Sequence, residues 1–256
     1  YAKLGQVISG LKELGFYTVI EAALGADMVA DAESKELAEK GFLTSSCCPA
    51  FVDYIHKNFP GLVPLISHNL SPMATIAKYI KKKDENVKIV FIGPCTAKKM
   101  EVQLEKVRPY VDSCMTFEEL QALFDSRDLD ITELGEDILD NASYFGRIFA
   151  RSGGLSDAVA QGLKENGLTD FELKPVACDG IEECRMALLK KNKGVLNANF
   201  IEGMACVGGC VGGPSKHKAE LEAKKSRDKL IAEADAREVH ENLKAYDMSS
   251  FSMHRH

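Results

Sequence analysis

Apolar residues recur at helical spacing from the start of the chain. Leu4, Val7, Ile8, Leu11 and Leu14 share one face of residues 2–15, and Gly15 closes the predicted helix. Residues 16–20 predict a short strand. Residues 22–40, rich in Ala, Glu and Lys, predict a second helix closed by Gly41. Residues 42–45 read as a short strand running into Cys47-Cys48-Pro49, and a proline suits a first helical turn, so 49–59 is the next helix. Ser71-Pro72 opens another helix to residue 83. The apolar run 87–92, broken only by Lys88, predicts a buried strand that ends in Gly93-Pro94-Cys95. The second half repeats the theme. A strand at 111–115 precedes a helix capped by Thr116 and reaching 124, while 128–139 has no clear pattern. Gly153-Gly154 leads a helix at 155–165. A strand at 173–177 passes through Asp179-Gly180 into a helix at 181–191. Residues 216–246 read as one charged, solvated surface helix with a thin stripe of Leu221, Leu230, Ile231, Val239 and Leu243. Strands alternating with helices predict an α/β fold with parallel pairing.

The 256 residues allow one large domain or two lobes. A net charge of −6 and a pI near 5.6 argue against a nucleic-acid domain, which would carry a basic face. No run approaches the roughly 18 apolar residues of a membrane span. The chain begins at Tyr1, without a signal-peptide pattern, and reads as the remainder of something longer. Its informative excess is eight cysteines: Cys47, Cys48, Cys95, Cys114, Cys178, Cys184, Cys206 and Cys210. A secreted disulfide scaffold is usually shorter and loop-rich. Reduced or metal-bound thiols in a reducing, cytosolic compartment fit better.

Three segments carry the candidate chemistry: Thr44-Ser-Ser-Cys-Cys-Pro-Ala-Phe51, Gly93-Pro-Cys-Thr-Ala-Lys-Lys-Met-Glu101, and the glycine-rich stretch from Phe200 to Pro214. Two of them follow a predicted strand and open a helix, where α/β folds collect ligands. In the third, Cys206 and Cys210 are four residues apart and would share one helix face. One cysteine from each of the first two segments and two from the third make the four thiolates of a 4Fe–4S cubane. Gly203, Gly208, Gly209, Gly212 and Gly213 would let backbone approach a bulky inorganic body. Each segment alone has an ordinary reading. The side chains of adjacent Cys47 and Cys48 diverge, so one of them could simply be packing. Zinc sites prefer closer paired cysteines than these.

Together the segments resemble the three signature motifs of the diiron (iron-only) hydrogenase catalytic domain, over roughly residues 2–214. The resemblance implies a two-lobed fold with parallel sheets flanked by helices and the cluster between the lobes. The lobes would cover roughly 1–105 and 106–214, with 215–256 as a charged helix and tail packed on the domain. It implies an H-cluster, a 4Fe–4S cubane joined to a diiron centre bearing CO, cyanide and a bridging azadithiolate. Cys48, Cys95, Cys206 and Cys210 fall on the cubane ligands, with Cys210 on the bridge to the diiron unit. Cys47 falls on the free cysteine that passes protons to the bridging amine. Lys98 matches a lysine that hydrogen-bonds cyanide, and Met204 a methionine packed against the diiron unit. Gly93 and Pro94 fall on the lining of the cofactor pocket. Glu101, about one helical turn from Lys98, would orient it. Glu33, Glu36 and Ser67 fit the family's proton path, the ordinary reading of the two glutamates being surface charge on a helix. His68 stands beside that serine and could share its protons.

Several positions depart from the family pattern. Gly93 replaces a common methionine and Phe51 a common tryptophan, a serine is doubled before Cys47, and the last motif has one glycine fewer and lacks a glutamine. These departures point to a divergent branch. The resemblance implies an oxidoreductase that reversibly reduces protons to dihydrogen. A low-turnover hydrogen sensor and a cubane-only relative in iron–sulfur assembly are the alternatives. Its partners would be H2 and protons, ferredoxin or another electron carrier, and maturation proteins for the diiron site. Ferredoxin-like modules with further 4Fe–4S clusters would lie upstream, in the cytoplasm of an anaerobic prokaryote. Cys178 and Cys184, flanking a strand-to-helix turn, read first as buried structural thiols and second as ligands of another cluster. Cys114 reads as core, and His254 and His256 as a frayed tail.

Overall fold

The computed structural model describes residues 2–217, 220–233, 236–249 and 251–254. Its helices are α1 (Leu4–Glu13), α2 (Ala22–Lys40), α3 (Pro49–Asn58), α4 (Pro72–Lys83), α5 (Ala97–Glu101), α6 (Phe117–Asp125), α7 (Tyr144–Ile148), α8 (Gly154–Glu165), α9 (Ile181–Asn192), α10 (Glu220–Glu233) and α11 (Val239–Leu243). The strands are β1 (Leu43–Thr44), β2 (Val90–Ile92), β3 (Ser113–Met115), β4 (Pro175–Asp179) and β5 (Phe200–Met204). The α/β class is as the alternation predicts. All pairing between these strands is parallel: one sheet runs β1-β5-β4 and the other β2-β3. Both sheets draw strands from either side of residue 105.

Local chemistry sets several helix ends as anticipated. Ser71 caps α4, its Oγ accepting from Ala74 N at 3.4 Å, with Pro72 in the first turn. Thr116 and Glu119 form a reciprocal capping box at α6. Gly41 ends α2 in the left-handed conformation, φ 73°. The long α2 is central and packs against α4, α7, α8 and α11. Its Gly25 permits the α4 crossing, since a Cβ there would lie 2.1 Å from Pro72 O.

Five expectations need correction. Residues 16–20 form no strand: Tyr17 is fully exposed, while Phe16 and Val19 pack as loop residues against Leu11 and Phe124. The strand expected over 87–92 starts only at Val90 and is half-buried, because its sheet has just two strands. Cys206 and Cys210 do not share an α-helix. Gly208 and Gly209 both take positive φ, 86° and 73°, and the turn resumes only as a short 3₁₀ segment, Gly209–Gly212. The C-terminal region is not one solvated helix. α10 ends at Glu233, and α11 then docks with Val239 and Leu243 buried. The side chains of Leu221 and Leu230, and His256 itself, lie outside the described residues. His254 is held rather than frayed, forming an antiparallel bridge with Asn69.

Asp27 ties this docking together. Fully buried on α2, it accepts from Ser143 N and Asn242 Nδ2, both at 2.8 Å, and from Ser143 Oγ. Burial outweighs these hydrogen bonds and raises its carboxyl to about 6. Between about pH 4 and that value the folded chain holds a proton that the unfolded chain has released. Stability from this group therefore falls as pH rises through the window, by about 3 kcal/mol once neutral pH is reached. Urea unfolding of the parent and of Asp27→Asn across this range should show the downward slope in the parent and its loss in the variant.

Candidate cluster site

Three of the parallel strands end at one place. β1 runs into Cys47-Cys48, β2 into Gly93-Pro94-Cys95, and β5 through Met204 to Cys206. Cys48 is the residue before α3, and Pro49 starts that helix. The segments interlock by backbone. Ser45 Oγ accepts from Gly203 N at 3.0 Å, Pro94 O accepts from Ser215 N at 3.1 Å, and Ala150 O accepts from Cys210 N at 2.8 Å. The glycines serve this interlocking rather than only a cofactor. A Cβ on Gly203 would meet the Phe51 ring at 2.2 Å, and one on Gly213 would meet Pro94 O at 2.4 Å.

Among the described residues all eight cysteines are free. Burial pushes the Cys206 thiol up, and Cys48 and Cys95 add to it. Cys210 presents an exposed face, with protein packed around its thiol. Burial raises it to about 12, with Cys48, Cys95 and Cys206 contributing. Burial raises Cys48 too, opposed by the amides of Ala205 and Phe51 and by Lys98. Thiols gathered from three segments, with amides and a cation turned toward Cys48, suit a positively charged inorganic core. Among the described residues no three such side chains converge tightly enough for a single metal ion. A cubane is larger than an ion and takes one thiolate at each corner.

Lys98 is buried in this cage. Its Nζ donates to Glu101 Oε2 at 2.6 Å and to Cys47 O at 3.3 Å. Burial alone would lower the ammonium, but the Glu101 carboxylate outweighs it and the group stays charged. Glu101 thus holds Lys98 as its spacing suggested. Met204 is buried at the end of β5. Cys47 is buried, and its thiol is driven well above the usual range by burial first and by Glu33 second.

The reading of Glu33 and Glu36 as surface charge does not hold, since both are buried. Glu36 Oε2 accepts from Ser67 Oγ at 2.7 Å and from Asn69 Nδ2 at 3.0 Å. Glu36 Oε1 accepts from Lys40 Nζ at 2.7 Å and from His68 N at 3.0 Å. Burial would raise this carboxyl, but Lys40, His68 N and Ser67 outweigh it and lower it. Lys40 Nζ also lies 3.2 Å and 3.1 Å from the two ring nitrogens of exposed His68. Sequence reading missed Lys40 and Asn69. The signal for Lys40 was its i,i+4 spacing from Glu36. Asn69 left none, because it reaches Glu36 only through the tertiary fold.

Gly93 is buried and faces the Phe91 ring. A Cβ there would lie 3.0 Å from two carbons of the Phe91 ring. Gly93→Met should therefore cost about 1–3 kcal/mol through overpacking. Adding Phe91→Ala should recover most of the loss in a urea melt. Cys178 and Cys184 are buried in the apolar cluster with Phe51, Ile55 and Ile201, as structural thiols would be. Cys114 is only partly buried, against the Leu70 and Val102 cluster.

A cysteine cage at the carboxyl ends of parallel strands, within an α/β fold, defines an iron–sulfur protein. The chain belongs to the family described as iron-only hydrogenase large subunit, C-terminal domain, whose profile matches residues 2–214. It is 30% identical to iron hydrogenase 1 of Clostridium pasteurianum over 296 residues, covering 93% of this chain and 51% of that protein. It is 25% identical to the NADP-reducing hydrogenase subunit HndD of Solidesulfovibrio fructosivorans, with the same coverage of 93% and 51%. The cytosolic Fe-S cluster assembly factor NAR1 of Eremothecium gossypii is 33% identical over 140 residues, covering 51% of this chain and 31% of that one. The chain thus spans about half the length of the two hydrogenases. Among solved structures, the FeFe-hydrogenase HydA(deltaEFG) superposes with a TM-score of 0.78 at 22% identity, covering 97% of this chain and 84% of that one. Apo FeFe-hydrogenase HydA1 from Chlamydomonas reinhardtii gives 0.77 at 21%, with coverage of 97% and 84%. These two likenesses speak to the fold. Among the described residues no helix is long and apolar enough to cross a membrane.

Proposed function

We propose that this domain reversibly reduces protons to dihydrogen at an H-cluster. The observation that carries this reading is the buried Lys98–Glu101 pair seated on the Cys47 carbonyl. The Lys98 ammonium, buried between Glu101 and the Cys47 carbonyl, suits a pocket that holds a further anionic ligand, such as cyanide, beside the cubane. Cys48, Cys95, Cys206 and Cys210 would hold the cubane, with Cys210 also facing a diiron unit. When bound, that unit would supply redox-active iron to exchange electrons with protons and dihydrogen, and a base for the proton. Lys98 Nζ donates to the anionic side of the pocket, and Met204 and the buried Gly203 backbone exclude water from it. Cys47 Sγ stays protonated, being buried beside Glu33, and gives its proton to the pocket. Glu33 replaces it from the Ser67–Glu36 pair, whose outer end meets solvent at Lys40 and His68. The cluster domain would take in the matched residues up to 214, with α11 packed on its α2, α7 and α8. An electron carrier of ferredoxin type, through modules upstream of this domain, would deliver the electrons.

The reading of a cubane-only assembly factor draws on the NAR1 likeness, which covers 51% of the chain. A hydrogen sensor would share the whole site and differ in rate. Infrared spectroscopy of protein matured with the diiron unit separates these readings. CO and cyanide bands together with H2 oxidation support the hydrogenase, and the bands with very low turnover support the sensor. A full cubane without the bands after maturation would overturn the proposal in favour of the assembly reading.

A further inference from the structure

The turn between β4 and α9, unused by the function above, grips the chain on both sides of Cys206. Before it, Gly180 N donates to Met204 O at 2.8 Å, and Cys184 Sγ faces the same carbonyl at 3.7 Å. After it, Gly208 N donates to Asp179 Oδ1 at 2.5 Å, and Ser152 Oγ donates to the same oxygen at 2.5 Å. Ser152 lies two residues beyond Ala150, whose carbonyl takes Cys210 N. Asp179 is itself held, its N donating to Glu183 Oε2 at 2.8 Å. The contact is close, since a Cβ on Gly180 would lie 2.9 Å from Val207 Cγ2.

The gripped loop needs such a hold. Gly208 and Gly209 both take positive φ, and glycine loses the most conformational freedom when it is fixed. Within the loop itself, Gly209 N donates to Cys206 O at 3.1 Å and Gly213 N to Cys210 O at 3.0 Å. One acceptor oxygen thus carries both the Gly208 amide and the Ser152 hydroxyl. We infer that Asp179 is a positioning residue for Cys206 and Cys210, aiming their thiols by fixing Gly208 N and the Ser152 turn. The inference rests on the reading that these cysteines hold a cubane. Partners that orient ligands in this way typically change metal affinity about 10–100-fold when removed.

Three variants test it. Asp179→Ala removes the acceptor, Asp179→Asn keeps an acceptor oxygen in place, and Asp179→Glu keeps the charge but displaces the oxygen by one methylene. In iron-free protein, amide exchange across residues 205–212 should speed up in Asp179→Ala and Asp179→Glu and stay near parental in Asp179→Asn. In cubane-reconstituted protein, iron release to a chelator should be about 10–100-fold faster in the first two. The electron paramagnetic resonance spectrum of their reduced cluster should also change. If Asp179→Ala does not fold, Asp179→Glu carries the comparison with Asp179→Asn. Parental exchange in the folded variants overturns the inference, and so does faster exchange with parental iron release and spectrum. A parent that takes up no cubane would instead overturn the cluster reading, and the exchange result would then decide the clamp alone.

Discussion

Cys95→Ala, reconstituted anaerobically with iron and sulfide, should retain far less iron and labile sulfide than the parent, and Cys48→Ala and Cys206→Ala should match it. Each removes one corner ligand from a set drawn from three separate segments. The three remaining thiolates leave one iron open to solvent and exchange. The folded chain should survive, because cores such as the one around Leu24 and Met28 on α2 contain none of these cysteines. Iron and sulfide analysis, with circular dichroism as the folding control, checks both halves. A full cubane in all three variants would remove these cysteines from the site.

Cys47→Ala should behave oppositely, keeping the cubane and the CO and cyanide bands while losing hydrogen turnover by about 10²–10⁴-fold. Cys47 is buried, and its thiol is pushed up by burial first and by Glu33 second, so it keeps the proton that the proposed function has it pass on. The deletion takes out a proton donor and leaves the Lys98 anchor, which uses the Cys47 carbonyl rather than the sulfur. Film voltammetry of matured parent and variant measures the loss directly. Parental turnover would mean that protons arrive by another route, and His68 with Lys40 would be the first groups to vary.

The sequence by itself determined the α/β alternation, most helix boundaries and the three cysteine-bearing segments, because these depend on local rules. Helical spacing, Ser71 and Thr116 caps, and Pro49 after Cys48 act within a few residues of themselves. Even the Lys98–Glu101 pair is local, at i,i+3 on one helix. Only the tertiary structure decided what local pattern leaves open. Glu33 and Glu36 look like any charges on a long Ala-rich helix. They are buried because α4, α7, α8 and α11 surround α2, and Ser67 reaches Glu36 from a loop 31 residues away. Cys206 and Cys210 had helical spacing but received a glycine-broken turn, held by Asp179 and by Ala150 from distant segments. Gly93 lies against the Phe91 ring, two residues away but brought there by the bend after β2. For the glutamates and the two cysteines the deciding force is packing between segments far apart in the chain, and spacing along the chain carries no record of that.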